Sequence, residues 1–188
     1  MPVGIICEYD PLHKGHVYQM QEARRLAAEA GIEDNRIVAV MSGNYVQRGM
    51  PSLCDKFQRT RMALEAGVSL VLELPTYYST ATAEWFAFGG VSLLERSGLV
   101  RAISFGLGDP SSMDLLQRSA DLLVPESPAF SALLRQKLNL GLPYAAARQQ
   151  ALEQQLGESL PTEPNGILAL EYLKALKRLS STMQVVFT

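Results

Sequence analysis

The sequence predicts an α/β protein: a Rossmann-like parallel sheet with helices on both faces, plus a C-terminal helical annex. Three observations predict it. Short runs apolar on both faces recur along residues 1–110, each is followed by a longer stretch with helical spacing, and glycine or proline stands where these elements stop. Such alternation implies parallel strands joined by right-handed crossovers.

"VGIIC" (Val3 to Cys7) reads as the first strand, and "HVYQMQEARRLAAEAG" as a helix that closes on Gly31. "RIVAVMSG" is the second strand. "DKFQRTRMALEAG" is a helix opened by Asp55 at the N-cap and closed by Gly67, and "VSLVLELP" is a third strand stopped by Pro75. "TATAEWFAFGGVSLLERSG" reads as one helix and "VRAISFG" as the fourth strand. From Ser111 the pattern turns helical, punctuated by Pro128, Gly141, Pro143 and Pro164, and "MQVVFT" reads as a last strand. The expected organisation is one domain over 1–188, with an α/β core over 1–110 and the annex with its strand over 111–188.

The chain has 188 residues, 47% of them hydrophobic and 19% charged, the balance of a folded globular protein. A net charge of −2 gives no global positive field, so any contact with a polyanion must be local. Two cysteines, Cys7 and Cys54, make no disulfide framework, and neither a signal-like segment nor a membrane-length apolar run occurs. A reducing cytoplasm is the expected location, without membrane association.

The segment "CEYDPLHKGHVYQ" leaves the carboxyl end of the first strand, where open parallel sheets bind ligands. Gly15 permits close approach of the backbone, and the following helix offers N–H groups and a positive dipole end to an anion. His13 and His16, the only histidines, stand three apart and can reach the same phosphate. Each imidazole can donate a hydrogen bond to charge growing on an α-phosphate, and Lys14 can add a third donor. The bland alternative is a surface histidine and a helix cap.

"PLHKGH" resembles the H-x-G-H signature of the adenylyltransferase superfamily. "GIICEYDPLHKGH", "VAVMSGNYVQRGMPSLCDKFQRTRMALEAGVSLVLELP" and "PNGILALEYLKAL" are together similar to the tRNA(Met) cytidine acetate ligase family, from Val3 to about Phe105 and again from Pro164 to Leu176. The resemblance implies that acetate and ATP give acetyl-adenylate and pyrophosphate, and that the acetyl group passes to N4 of the wobble cytidine of elongator tRNA(Met). It implies ATP as substrate, Mg²⁺ as its companion ion, and tRNA(Met) as partner. The implied ATP-binding residues are Ile6, Cys7, Glu8, Tyr9, Asp10, Pro11, Leu12, His13, Lys14, Gly15, His16, Val17, Tyr18 and Gln19, with Gly106 and Asn165. The family usually has asparagine in place of Asp10, often asparagine at Lys14, and a Gly-Ser-Glu-like run where this chain reads Gly106, Leu107, Gly108. Asp10 adds negative charge that Lys14 or Mg²⁺ would have to offset. Family members are expected to be about twice this length, so the chain resembles their adenylate-forming part.

Ser42, Gly43 and Asn44 follow the second strand and are candidate contacts for nucleotide or acyl group, and Gln47 and Arg48 for phosphate or RNA; an ordinary turn is the alternative. Lys56, Arg59 and Arg61 are candidate RNA contacts or a solvated helix face, with Lys174, Lys177 and Arg178 a weaker basic group. Tyr77, Tyr78, Trp85, Phe86 and Phe88 can stack a base, though helical spacing favours core. Cys7, His13 and His16 lack the fourth ligand of a zinc site, and Cys54 lacks a partner, so no protein-held metal is expected. Two other functions share these features: a small-molecule adenylyl- or cytidylyltransferase, whose second phosphate motif "LSSTMQVV" only poorly echoes, and a catalytically silent RNA-binding module.

Overall fold

Strand β1 (Val3–Cys7) occupies the centre of a five-stranded, all-parallel sheet because its residues are apolar on both faces. It pairs with β2 (Ile37–Ser42) on one side and β4 (Ala102–Phe105) on the other. Beyond β2 lies β3 (Leu70–Leu74) and beyond β4 lies β5 (Gln184–Phe187), giving the order β3-β2-β1-β4-β5. The structure, a computed structural model, describes residues 1–188. The chain builds outward from β1 to β3 and then returns to the other side of β1. Loops leaving β1 and β4 therefore diverge, and a crevice opens between them.

Alternation along the strands divides the interior into two cores. Ile37, Ala39 and Met41 join Val3 and Ile5 against Met20, Ala23 and Ala27 of α1 (Lys14–Glu29) and Ala63 of α2 (Lys56–Glu65). Val38, Val40, Ile103 and Phe105 face the larger core under α4 (Ala83–Ser97). There α4 presses directly on β1. A Cβ at Gly90 would stand 2.7 Å from Ile6 Cδ1, and one at Gly4 2.7 Å from Leu94 Cδ1.

The helix expected over Thr80 to Gly98 is α4, and a further short helix, α3 (Thr76–Ser79), stands between β3 and it. The annex comprises α5 (Met113–Leu123), α6 (Pro128–Asn139), α7 (Tyr144–Leu156) and α8 (Pro164–Arg178). Helix α8 packs into the core of the sheet, with the Tyr172 ring 5.4 Å from that of Phe105. Its buried Glu171 accepts from Arg148 and Lys174, each at 2.6 Å, and Lys174 also pairs with Glu84 at 3.3 Å, tying α4, α7 and α8 together. Lys174 is thus a core cation and not a surface one. No helix is long and apolar enough to cross a membrane.

Candidate active site

The crevice at the carboxyl ends of β1 and β4 has two lobes that share Ile6, Cys7, Glu8, His13, His16, Asn165, Leu168 and Tyr172. One, of about 500 Å³, runs toward Phe105, Gly106, Leu107, Gly108 and Thr188. The other, of about 350 Å³, runs toward Tyr9, Asp10, Pro11, Gln47 and Phe86. The histidine pair stands where they meet.

His13 is the N-cap of α1. Its Nδ1 accepts the Gly15 N–H at 3.1 Å, and His16 Nδ1 accepts the His13 N–H at 3.3 Å, a capping box made by two imidazoles. The rings stack with centroids 3.6 Å apart. Both Nδ1 atoms are acceptors, so in the neutral rings the proton sits on Nε2. Burial, then the neighbouring His13, pulls the His16 pKa down to about 4, so that ring is neutral near pH 7. Gly15 leaves room for the His13 ring: a Cβ there would stand 3.0 Å from His13 Cε1 and press on it.

The helix N-terminus itself offers less than the sequence suggested. The His16 and Val17 N–H groups both donate to His13 O, at 3.0 and 3.2 Å, and Gly15 N–H is taken by the His13 ring. An anion here meets imidazole Nε2–H groups and the dipole end rather than a backbone cradle. The expectation of a capping histidine is therefore met, by both residues.

Around this pair the loops are cross-tied. Tyr9, buried, takes a left-handed backbone with φ +48°, a conformation costly for a non-glycine residue, and its ring lies 4.9 Å from that of His16. Glu8 Oε1 accepts from Ser42 Oγ at 3.1 Å and from Gln47 N–H at 2.6 Å. Asp10 Oδ1 accepts the Leu53 N–H at 2.8 Å, so this carboxylate anchors the loop after β2. Burial pushes the Cys7 thiol above its usual range, which leaves it protonated and unreactive, and does the same to the phenols of Tyr9 and Tyr172.

Several candidate residues are corrected by these contacts. Arg59 is 0% exposed, and its guanidinium donates to the carbonyls of Glu8, Ser42, Gly43 and Cys54. It cannot contact RNA; it holds the carboxyl ends of β1 and β2 together. Ser42 and Gly43 are buried, Ser42 on Glu8 and Gly43 against Glu73, so neither faces the crevice. Asn44 Oδ1 accepts the Lys56 N–H at 3.0 Å, and Lys56 Nζ pairs with Glu73 at 2.7 Å. Arg48 and Arg61 are exposed. Of the aromatic group, Phe86 is core, while Tyr77 is 72% and Trp85 46% exposed.

Of the ATP-binding candidates, Ile6 to Pro11, His13, Gly15, His16, Tyr18, Gln19, Gly106 and Asn165 line the crevice. Leu12 packs into the core beneath α1, while Lys14 and Val17 line neither lobe. Gly106 and Asn165 adjoin, since a Cβ at Gly106 would lie 3.6 Å from Asn165 Nδ2. Leu168, Tyr172 and Thr188 also line it without having been singled out in the sequence, and Phe86 is the one residue of the aromatic group that does. The signal for the first two was the spacing 165, 168, 172, one stripe of α8.

With that geometry in place, the comparison with protein families is decisive: residues 1–188 match the family described as HIGH Nucleotidyl Transferase. The chain belongs to this family. Within it, the chain is 44% identical over 191 residues to the tRNA(Met) cytidine acetate ligase of Caldanaerobacter subterraneus subsp. tengcongensis, covering 99% of this chain and 46% of the relative. It is 42% identical over 192 residues to that of Clostridium perfringens, covering 96% and 46%. The HIGH nucleotidyl transferase fold matches the crystal structure of Thermotoga maritima TmcAL bound with alpha-thio ATP at a TM-score of 0.90 and 34% identity, over 100% of this chain and 46% of that one. The chain thus spans a little under half the length of these relatives.

Proposed function

We infer that this chain forms acetyl-adenylate from acetate and ATP, as the adenylate-forming part of a tRNA(Met) cytidine acetate ligase. The observation that carries this reading is the histidine pair, with both Nδ1 atoms committed to backbone N–H groups and both Nε2–H donors left for a phosphate at the junction of the two lobes.

The larger lobe, with Gly106 and Asn165, takes the nucleoside, and the smaller, walled by Ile6, Phe86, Leu168 and Tyr172, takes the acyl group. An acetate oxygen attacks the α-phosphorus, the bond to the bridging oxygen breaks, and pyrophosphate leaves. Nε2–H of His13 and His16 stabilises the charge that grows on the phosphate oxygens, and the fixed capping box means no reorganisation is needed at that moment. The acetyl group then passes to the amine of cytidine, a reaction that fits a cytoplasmic protein working on tRNA.

No group of three or more His, Cys, Asp or Glu side chains gathers into a metal site. Mg²⁺ enters this reading as an ion carried by the triphosphate. Arg48, Arg61 and Lys56 are the basic groups offered to RNA.

The test is acetate-dependent ATP–pyrophosphate exchange by the chain. Exchange that requires acetate and disappears in His16→Ala supports the reading; exchange that requires a phosphorylated small acceptor instead refutes it.

A further inference from the structure

Glu8 poses an electrostatic problem that the adenylation step leaves unsolved. Its carboxylate lines both lobes beside a site for a polyanion, where negative charge opposes nucleotide binding. No ion pair neutralises it. Oε1 is fixed by Ser42 Oγ and the Gln47 N–H, while Oε2 has no partner within the protein and is open to the crevice. Ile6, Phe86, Leu168 and Tyr172 wall the smaller lobe beside it, and the other carboxylate there, Asp10, is tied through Oδ1 to the Leu53 N–H. A carboxylate held by one oxygen, with the other free in a partly apolar pocket, is suited to an N–H donor that must be both recognised and deprotonated.

Resting on the acetate-activating reading, we propose that Glu8 is a catalytic residue of the second step: its free Oε2 accepts the exocyclic amine of the acceptor cytosine and takes the proton that the amine loses on acetylation. The amine lone pair attacks the acyl carbon of acetyl-adenylate, the C–O bond to phosphate breaks, AMP leaves with that electron pair, and the N–H proton goes to Glu8. The same contact selects the base. Cytosine presents an amino donor where uracil presents a carbonyl oxygen, and a carboxylate accepts from the first and repels the second.

Three measurements on the chain test this: acetate-dependent ATP–pyrophosphate exchange, single-turnover transfer of labelled acetyl to an anticodon-arm RNA with cytidine at the wobble position, and competition by the same RNA with uridine there. In Glu8→Gln the ratio of transfer rate to exchange rate falls by roughly 100-fold or more, and the uridine RNA competes as well as the cytidine RNA. Glu8→Asp recovers part of the transfer. An equal fall in both steps, or a changed Mg²⁺ requirement for exchange in Glu8→Gln, assigns the carboxylate to nucleotide or ion and overturns the proposal. Unchanged transfer, or none by the wild-type chain while exchange proceeds, overturns it too. Absence of exchange in the wild-type chain is a different failure, since it removes the acetate-activating reading itself and the Glu8 role with it.

Discussion

His16 Nδ1 accepts the backbone N–H of His13 at 3.3 Å while the two rings stack 3.6 Å apart, so His13 sets the tautomer of His16, as the Gly15 N–H sets that of His13. Replacing His16 by alanine removes one Nε2 donor and half of the capping box. Exchange activity is expected to fall roughly 100- to 1,000-fold, with a stability loss of only about 1 kcal/mol. Comparing exchange rates with urea unfolding midpoints checks both.

The depressed His16 pKa has a definite sign. The neutral ring is the native form, so the stability it contributes is full above about 6.5 and is lost as pH falls through about 4. Protonation at Nδ1 also destroys its acceptor role toward His13. An NMR titration should show a His16 midpoint near 4; a midpoint near 6.5 would contradict the described burial.

Arg59→Met should leave four backbone carbonyls without their donor, three at the ends of β1 and β2 and that of Cys54 just before α2. The expected loss is at least about 3 kcal/mol, with Arg59→Lys restoring only part because a single ammonium cannot span the same acceptors. Limited proteolysis should find the variant cut first within residues 43–55.

Gly90→Ala should be destabilising by about 1–3 kcal/mol, since its methyl group would collide with Ile6. Ile6 lines both lobes, so ATP affinity should fall as well. Calorimetric titration of ATP against the folded variant measures the second effect separately.

Lys174→Met leaves buried Glu171 with Arg148 alone. A loss of about 3 kcal/mol is expected, and for a chain of this size a melting temperature lower by roughly 6–12 °C. A variant that melts with the wild type would show the network to be dispensable.

The sheet was legible because its strands are apolar on both faces, and the helix after Asp55 because that carboxylate caps it at the expected place. The histidine pair was legible because it follows the central strand directly. Arg59 was not: on α2 it reads as one of a basic run, and its burial depends on carbonyls brought in from Glu8, 51 positions away, and from the end of β2. Such convergence is set by strand order, which no local pattern records. Tyr172 and Leu168 lay within reach of a spacing argument from Asn165, but only once α8 was known to meet the end of β4. The short helix α3 was hidden because four residues directly after Pro75 are too few for a helical spacing to register.

The larger lobe joins opposite extremes of the chain. Leu107 N–H donates to Thr188 O at 2.6 Å and Thr188 N–H to Phe105 O at 3.2 Å, so the last strand completes a wall begun by the first. A bound nucleotide would act as a clasp across that seam. Amide hydrogen exchange in β4 and β5 should therefore slow on adding ATP even though most of those amides never touch it, which makes the edge of the sheet a reporter of occupancy.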